Sequence, residues 1–312
     1  MSRGTDSKIL KRLQEWEEKE GHLPKSLEFY QRLLGIQSGA KLPVVNVARL
    51  GLSEETISSR IGRGSPLLSF GDLSIDWSLL QDVFEEVTAL FTDYTEVLGE
   101  IPENRKDAGP GITILKEITR AWFEGTSLLP QMPISSVNEA LGELLIDATL
   151  RPFLVSHCEA LLSFVHQEQW RRGYCPICGG NPDFAFLDKE RGARWLLCSR
   201  CDAEWLFQRL ECPYCGTKEP SSLAYFTDDK GLYRLYVCEK CRHYLKAVDL
   251  RRADYEVLLP LERFLTLNID GQAQQDGYSP CGRAGGDEEV EKQGNSTGKV
   301  RLTTDLQRNA IN

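Results

Sequence analysis

The sequence predicts an α+β protein: a mainly α-helical domain over residues 1–170, a double four-cysteine metal-binding module over residues 171–270, and a disordered tail over residues 271–312. Three observations point there. Apolar residues in the first half recur at helical spacing. Four Cys-x-x-Cys pairs sit among short apolar runs and turns between Cys175 and Cys241. Beyond residue 270 the chain is polar and Gly-rich, with few large side chains to bury.

The helical expectation rests on particular segments. Ile9, Leu10, Leu13 and Trp16 recur at helical spacing within the otherwise charged stretch 8–19. Pro24 is placed to open a second helix carrying Leu27, Phe29, Tyr30, Leu33 and Leu34. Ser53-Glu54-Glu55 reads as a helix start, with an early stop at Gly62 and Gly64. The strongest pattern spans 76–98 and puts Leu79, Leu80, Val83, Val87, Leu90, Phe91 and Val97 on one face. Residues 102–111 break that pattern. Another helix is expected over 112–122, then a long helix or a pair interrupted at Pro152 over 137–170.

From Gly173 onward short apolar runs at 184–187, 195–197 and 232–237 alternate with turns, which is hairpin and ribbon texture. The pairs are Cys175/Cys178, Cys198/Cys201, Cys212/Cys215 and Cys238/Cys241. Intervals of 19 residues (Cys178 to Cys198) and 22 residues (Cys215 to Cys238) each suit a hairpin that returns one knuckle beside another, while 10 residues separate the two sets. The simplest pairing is sequential, the first four thiols holding one ion and the last four another. In Cys175-Pro-Ile-Cys-Gly179 and Cys212-Pro-Tyr-Cys-Gly216, Pro fixes a tight turn and Gly permits positive φ. Backbone amides are then free to face the sulfurs. Such a site suits zinc, or iron in a rubredoxin-like centre, and spacing does not separate the two. The alternative is a set of buried or redox-active thiols without metal. A dithiol of thioredoxin type, however, needs a single pair in a βαβ setting.

Composition narrows the function. Ten cysteines, no apolar run near the ~20 residues that span a bilayer and a polar N-terminus together predict a cytoplasmic protein without membrane insertion. The net charge of −9 disfavours nucleic-acid binding, which needs a cationic surface. Within the cysteine module, eight bound thiolates and two divalent ions add about −4 and leave it near neutral. Closed four-cysteine sites leave no position for a catalytic water. No phosphate-cradling loop, nucleophile elbow or paired carboxylates stand out, so no enzyme is predicted.

Other residues have bland readings. Cys158 is expected in a helix core, and Cys281 as an incidental thiol in the tail. His157 and His243 are expected to be solvated or capping rather than ligating. Trp195 and Trp205 are expected to pack the ribbon, and Arg171-Arg172 and Arg251-Arg252 to be solvated.

A block of specific residues resembles the FdhE family, accessory proteins of formate dehydrogenase maturation. It begins at Pro152-Phe153-Leu154 and His157-Cys158-Glu159-Ala160-Leu161-Leu162, and continues through Trp170, Gly173, Cys175-Pro176-x-Cys178-Gly179-Gly180 and Pro182. Cys198-Ser199-x-Cys201, Glu204-Trp205, Arg209, Cys212-x-x-Cys215-Gly216, Cys238-x-x-Cys241 and Tyr244-Leu245-Lys246 complete it. The resemblance implies a cytoplasmic maturation factor with two rubredoxin-like metal sites that contacts the formate dehydrogenase catalytic subunit. Its metal ligands map onto the eight cysteines of the four pairs. It also implies a helical segment after the metal module, where residues 264–278, with Asn268 and Gly271, are only weakly periodic. Two other readings of the ribbon remain: a nucleic-acid-binding zinc-ribbon protein, or an iron-dependent redox partner protein.

Overall fold

The structure, a computed structural model, describes residues 2–40, 45, 47–95, 110–128, 139–280 and 307–310. The chain divides into two units, Met1–Phe164 and Val165–Asn312.

The first unit is helical. Helix α1 (Ser2–Glu20) turns Ile9 and Leu13 inward, and α2 (Lys25–Gly39) follows directly on Pro24. Helix α3 (Glu54–Arg63) is capped by Ser53, whose hydroxyl accepts from the Thr56 amide at 3.2 Å, and it ends where Gly64 turns to φ 73°. In α4 (Trp77–Asp93), Asp76 caps the amides of Ser78 and Leu79. Its buried face is Leu80, Val83, Phe84, Val87, Leu90 and Phe91. Leu79 is only half-buried and Phe84 joins the face instead. Val97 and most of the expected break at 102–111 lie outside the described residues. Helix α5 (Ile112–Glu124) buries Leu115, Ile118 and Trp122.

Helix α6 (Glu139–Leu161) is one continuous helix with Pro152 inside it. Proline has no amide to donate to the carbonyl four residues back, here that of Ala148. The buried Gln37 side chain of α2 supplies the missing bond, its Nε2 donating to the Ala148 oxygen at 2.7 Å. A carbonyl that would otherwise be orphaned is thereby satisfied, and the helix need not split. Its C-terminal part buries Cys158 and His157. His157 is neither solvated nor exposed. Its Nδ1 meets the Phe153 carbonyl at 2.8 Å, and its Nε2 accepts from the Ser74 amide at 3.1 Å, so the ring pins a loop onto the helix.

The second unit is built on one mixed sheet. Its strands are β1 (Pro182–Leu187), β2 (Arg194–Cys198), β3 (Glu204–Leu206), β4 (Leu223–Thr227), β5 (Tyr233–Cys238), β6 (Tyr244–Asp249) and β7 (Gln307–Ala310). They lie in the order β3-β2-β1-β6-β5-β4-β7. All neighbours are antiparallel except β1 and β6, which run parallel from Phe184↔Lys246 to Leu187↔Asp249. Each half repeats one plan: knuckle, strand, strand, knuckle, strand. The parallel pair fuses the two halves into one sheet, so the two metal-binding modules share a core instead of standing apart. Strand β6 is buried at every position because it lies at the centre of the sheet.

Helices α7 (Leu259–Leu265) and α8 (Leu267–Gln275) follow the last strand. Ile269 and Ala273 of α8 pack on Ala224, Phe226, Leu235, Val237 and Tyr244. The disordered tail expected from Gly271 therefore starts too early. The chain is helical through Gln275, and Tyr278 is buried against the same cluster, with its hydroxyl donating to Glu239 at 2.8 Å. Tertiary contacts order a segment whose own periodicity is weak. Strand β7 pairs with β4 further on. Residues 281–306, Cys281 among them, lie outside the described residues.

Candidate metal centres

Each Cys-x-x-Cys pair closes a knuckle of the same build. The amide of the first cysteine donates to the carbonyl five residues on: Cys175 to Gly180 (2.8 Å), Cys198 to Ala203 (2.9 Å), Cys212 to Thr217 (2.9 Å) and Cys238 to His243 (3.0 Å). The residue before each acceptor has positive φ: Gly179 at 74°, Asp202 at 54°, Gly216 at 67° and Arg242 at 58°. Glycine adopts this at no steric cost. At Asp202 and Arg242 the surroundings hold the conformation instead. Asp202 meets Arg263 at 2.5 Å, and the Arg242 guanidinium lies over the Tyr278 ring at 4.0 Å.

The strands bring the knuckles together in the sequential pairing. Cys175, Cys178, Cys198 and Cys201 form one group, and Cys212, Cys215, Cys238 and Cys241 the other, with the sulfurs of each group all within 4.8 Å of one another. In the first group Cys175 and Cys201 are 3.6 Å apart, and Cys178 lies 3.5 Å from both Cys198 and Cys201. In the second, Cys212–Cys241 and Cys215–Cys238 are each 3.7 Å apart. A disulfide would require about 2.05 Å. A tetrahedral ion with metal–sulfur bonds of about 2.3 Å has a sulfur–sulfur edge of about 3.8 Å. The thiol groups thus have the dimensions of a metal tetrahedron, and both clusters could hold a metal ion.

The surroundings act on the thiols in both directions: burial pushes Cys175 well above the ordinary thiol range and Cys238 up to about 11, while one thiol in each group is held low. The Ile177 amide points at Cys175 Sγ (3.3 Å) and the Arg200 amide at Cys198 Sγ (3.4 Å). Burial works against ionisation of Cys178, but hydrogen bonds with Cys175, Cys198 and Cys201 and the charge of Arg200 hold it well below the ordinary thiol range. Cys212 is pulled down to about 5, first by the hydrogen bond from Cys241, with the Cys215 and Tyr214 amides adding to it and burial opposing. Thiolates are the form in which cysteine ligates metals.

Other residues of the motif block hold the knuckles in place. A Cβ on Gly173 would sit 1.8 Å from the Pro213 oxygen, so the chain before the first knuckle touches the third as only glycine allows. The Tyr214 hydroxyl is 3.1 Å from the carbonyls of Pro182 and Tyr244, which spans the β1–β6 junction. Trp205 is fully buried and donates to the Arg172 carbonyl, and Trp195 stacks on Phe186. Arg251 is not merely solvated: it grips Asp249 with two bonds, at 2.8 and 2.6 Å. His243 lends its carbonyl to the fourth knuckle, while its ring tilts against Tyr214.

Comparisons with known proteins agree with this geometry. The profile of the FdhE central domain matches residues 174–209, which hold the first two knuckles. A protein from Aquifex aeolicus named as an FdhE homolog is 30% identical over 246 residues, spanning 73% of this chain and 77% of the relative. The chain belongs to the FdhE family. FdhE from Escherichia coli (strain K12 / DH10B) is 27% identical over 113 residues, 35% of this chain and 36% of that protein. The crystal structure of the FdhE protein from Pseudomonas aeruginosa shares the fold. Its TM-score is 0.60 at 21% identity, over 90% of this chain and 94% of that one. Among the described residues no helix is long and apolar enough to cross a membrane.

Proposed function

We propose that this FdhE-family chain is a cytoplasmic accessory factor in formate dehydrogenase maturation that acts by binding the catalytic subunit of that enzyme. Cys175, Cys178, Cys198 and Cys201 hold one metal ion, and Cys212, Cys215, Cys238 and Cys241 hold a second, each iron or zinc. When bound, such an ion cross-links two knuckles, and iron would add one-electron redox chemistry. The rest falls to the chain itself. Its strands fix the spacing of the thiols, its amides offset their charge, and its sheet presents both knuckle sets on one rigid element. No catalytic residue is assigned.

The observation that carries this reading is the presence, in a chain of this family, of two thiol groups with the dimensions of a metal tetrahedron. The test is affinity purification of the tagged full-length protein from its native host, grown anaerobically with formate. Recovery of a formate dehydrogenase catalytic subunit, lost in Cys198→Ser, supports the reading. Recovery of nucleic acid or transcription machinery instead overturns it.

A further inference from the structure

The two clusters differ in their access to solvent. All four cysteines of the first are buried, none more than 3% exposed. Its remaining space is filled: a Cβ on Gly180 would lie 3.1 Å from Cys198 Sγ and 2.7 Å from the Arg200 side chain. An external ligand reaches these sulfurs only if the sheet opens locally.

The second cluster is open on one side. Cys215 is exposed and Cys241 half-buried, one from each of its two knuckles. A cleft of about 20 Å³ borders it, with Cys212 and Cys238 in its wall. That is room for about one water-sized group. Three residues of the cleft lining, Arg194, Tyr236 and His243, each carry a buried atom without a hydrogen-bond partner among the described residues: Nε, Oη and Nδ1. Buried polar atoms are ordinarily satisfied, so this side of the second cluster is less completely closed by hydrogen bonds than the first.

Building on the metal-binding reading above, we propose that the second cluster is an exchangeable metal site that hands over or accepts its ion by ligand substitution with an external thiol, while the first is a closed structural site. In the exchange Cys215 gives up its bond to the ion as the incoming sulfur takes that position. The proton of the incoming thiol passes to the Cys215 sulfur, and no electron is transferred. The partner chemistry implied is a cysteine thiol, or a small thiol, that reaches the surface at Cys215 and Cys241.

The test uses the full-length protein loaded with zinc as the probe ion, mixed with excess 4-(2-pyridylazo)resorcinol and followed by absorbance. The expected course is biphasic, one equivalent leaving about tenfold or more faster than the other. Cys215→Ser should abolish the fast equivalent and leave the slow one unchanged. Iodoacetamide labelling of the unmutated protein, mapped by mass spectrometry, gives a readout independent of any variant. Cys215 and Cys241 should react before Cys175, Cys178, Cys198 and Cys201. Release of both ions in one phase, or labelling of the first set at an equal or greater rate, overturns the inference while leaving the metal reading intact. A protein that takes up no zinc defeats both.

Discussion

Arg263 of α7 donates to the backbone carbonyl of Cys198 at 2.6 Å, so a helix more than sixty residues downstream holds a knuckle of the first cluster. The same guanidinium meets Asp202 at 2.5 Å and Asp183 at 2.9 Å, and its side chain is mostly buried. Removing one partner from such a network typically costs about 3–5 kcal/mol when fully buried. Arg263→Ala is therefore expected to lower stability by roughly 3 kcal/mol and to weaken metal retention at the first cluster more than at the second. Arg263→Lys should recover little, because an ammonium lacks the planar fork that reaches three acceptors. Urea denaturation and metal analysis of both variants check this.

Gln37 and Pro152 are expected to be coupled. Gln37→Met leaves the buried Ala148 carbonyl without a donor, at a cost of about 1–3 kcal/mol. In a Pro152→Ala background the chain regains an amide at position 152, and the same substitution should cost less. A double-mutant cycle by chemical denaturation measures the difference. Additive effects would show that the bond does not compensate for the proline.

Gly216 isolates the cost of knuckle conformation. It sits at φ 67°, and an added Cβ would meet nothing within 4 Å. Gly216→Ala should thus cost about 1–2 kcal/mol through backbone strain alone. Thermal unfolding of the metal-loaded protein reads this directly.

Acid should destabilise the two units at different pH. Burial holds the His157 imidazole below its usual range, against the opposing bond to the Phe153 carbonyl. Its contribution to the first unit is complete above the unfolded histidine value of about 6.5 and fades as pH falls below it. For Asp249 burial favours protonation, but the hydrogen bonds and charge of Arg251 and the charge of Arg234 win and hold the carboxyl low. That contribution to the second unit is complete above the unfolded aspartate value of about 3.9 and is lost as pH falls through the lower folded-state value. Hydrogen exchange followed from pH 7 to 4 should show protection around α6 weakening before protection in β6 does. His157→Gln should flatten the first change only.

Much of the second unit could be read from residue identity, because chemistry leaves few uses for four Cys-x-x-Cys pairs. The spacing pointed to sequential grouping, and Gly179 and Gly216 announced positive φ. Asp202 and Arg242 take the same conformation without that signal, since partners elsewhere in the fold impose it. The parallel pairing of β1 with β6 joins residues some sixty positions apart, and no local pattern encodes it. Arg263 gave no sign of its role for the same reason. In the first unit the periodicity found α4 and most of its buried face. It left open whether Pro152 splits a helix, because the answer lies in Gln37, more than a hundred residues earlier. The helical segment after the metal module follows from the family resemblance and not from periodicity, because only Ile269 and Ala273 of α8 are buried, too few to make a stripe.

Each thiol group is expected to hold one ion. The most direct measurement is elemental analysis of the purified full-length protein by mass spectrometry, beside Cys198→Ser and Cys215→Ser. The expected result is two ions of iron or zinc per chain, with one lost in each single variant and both lost when the two are combined. A metal-free chain, or variants that keep the full complement, would contradict it.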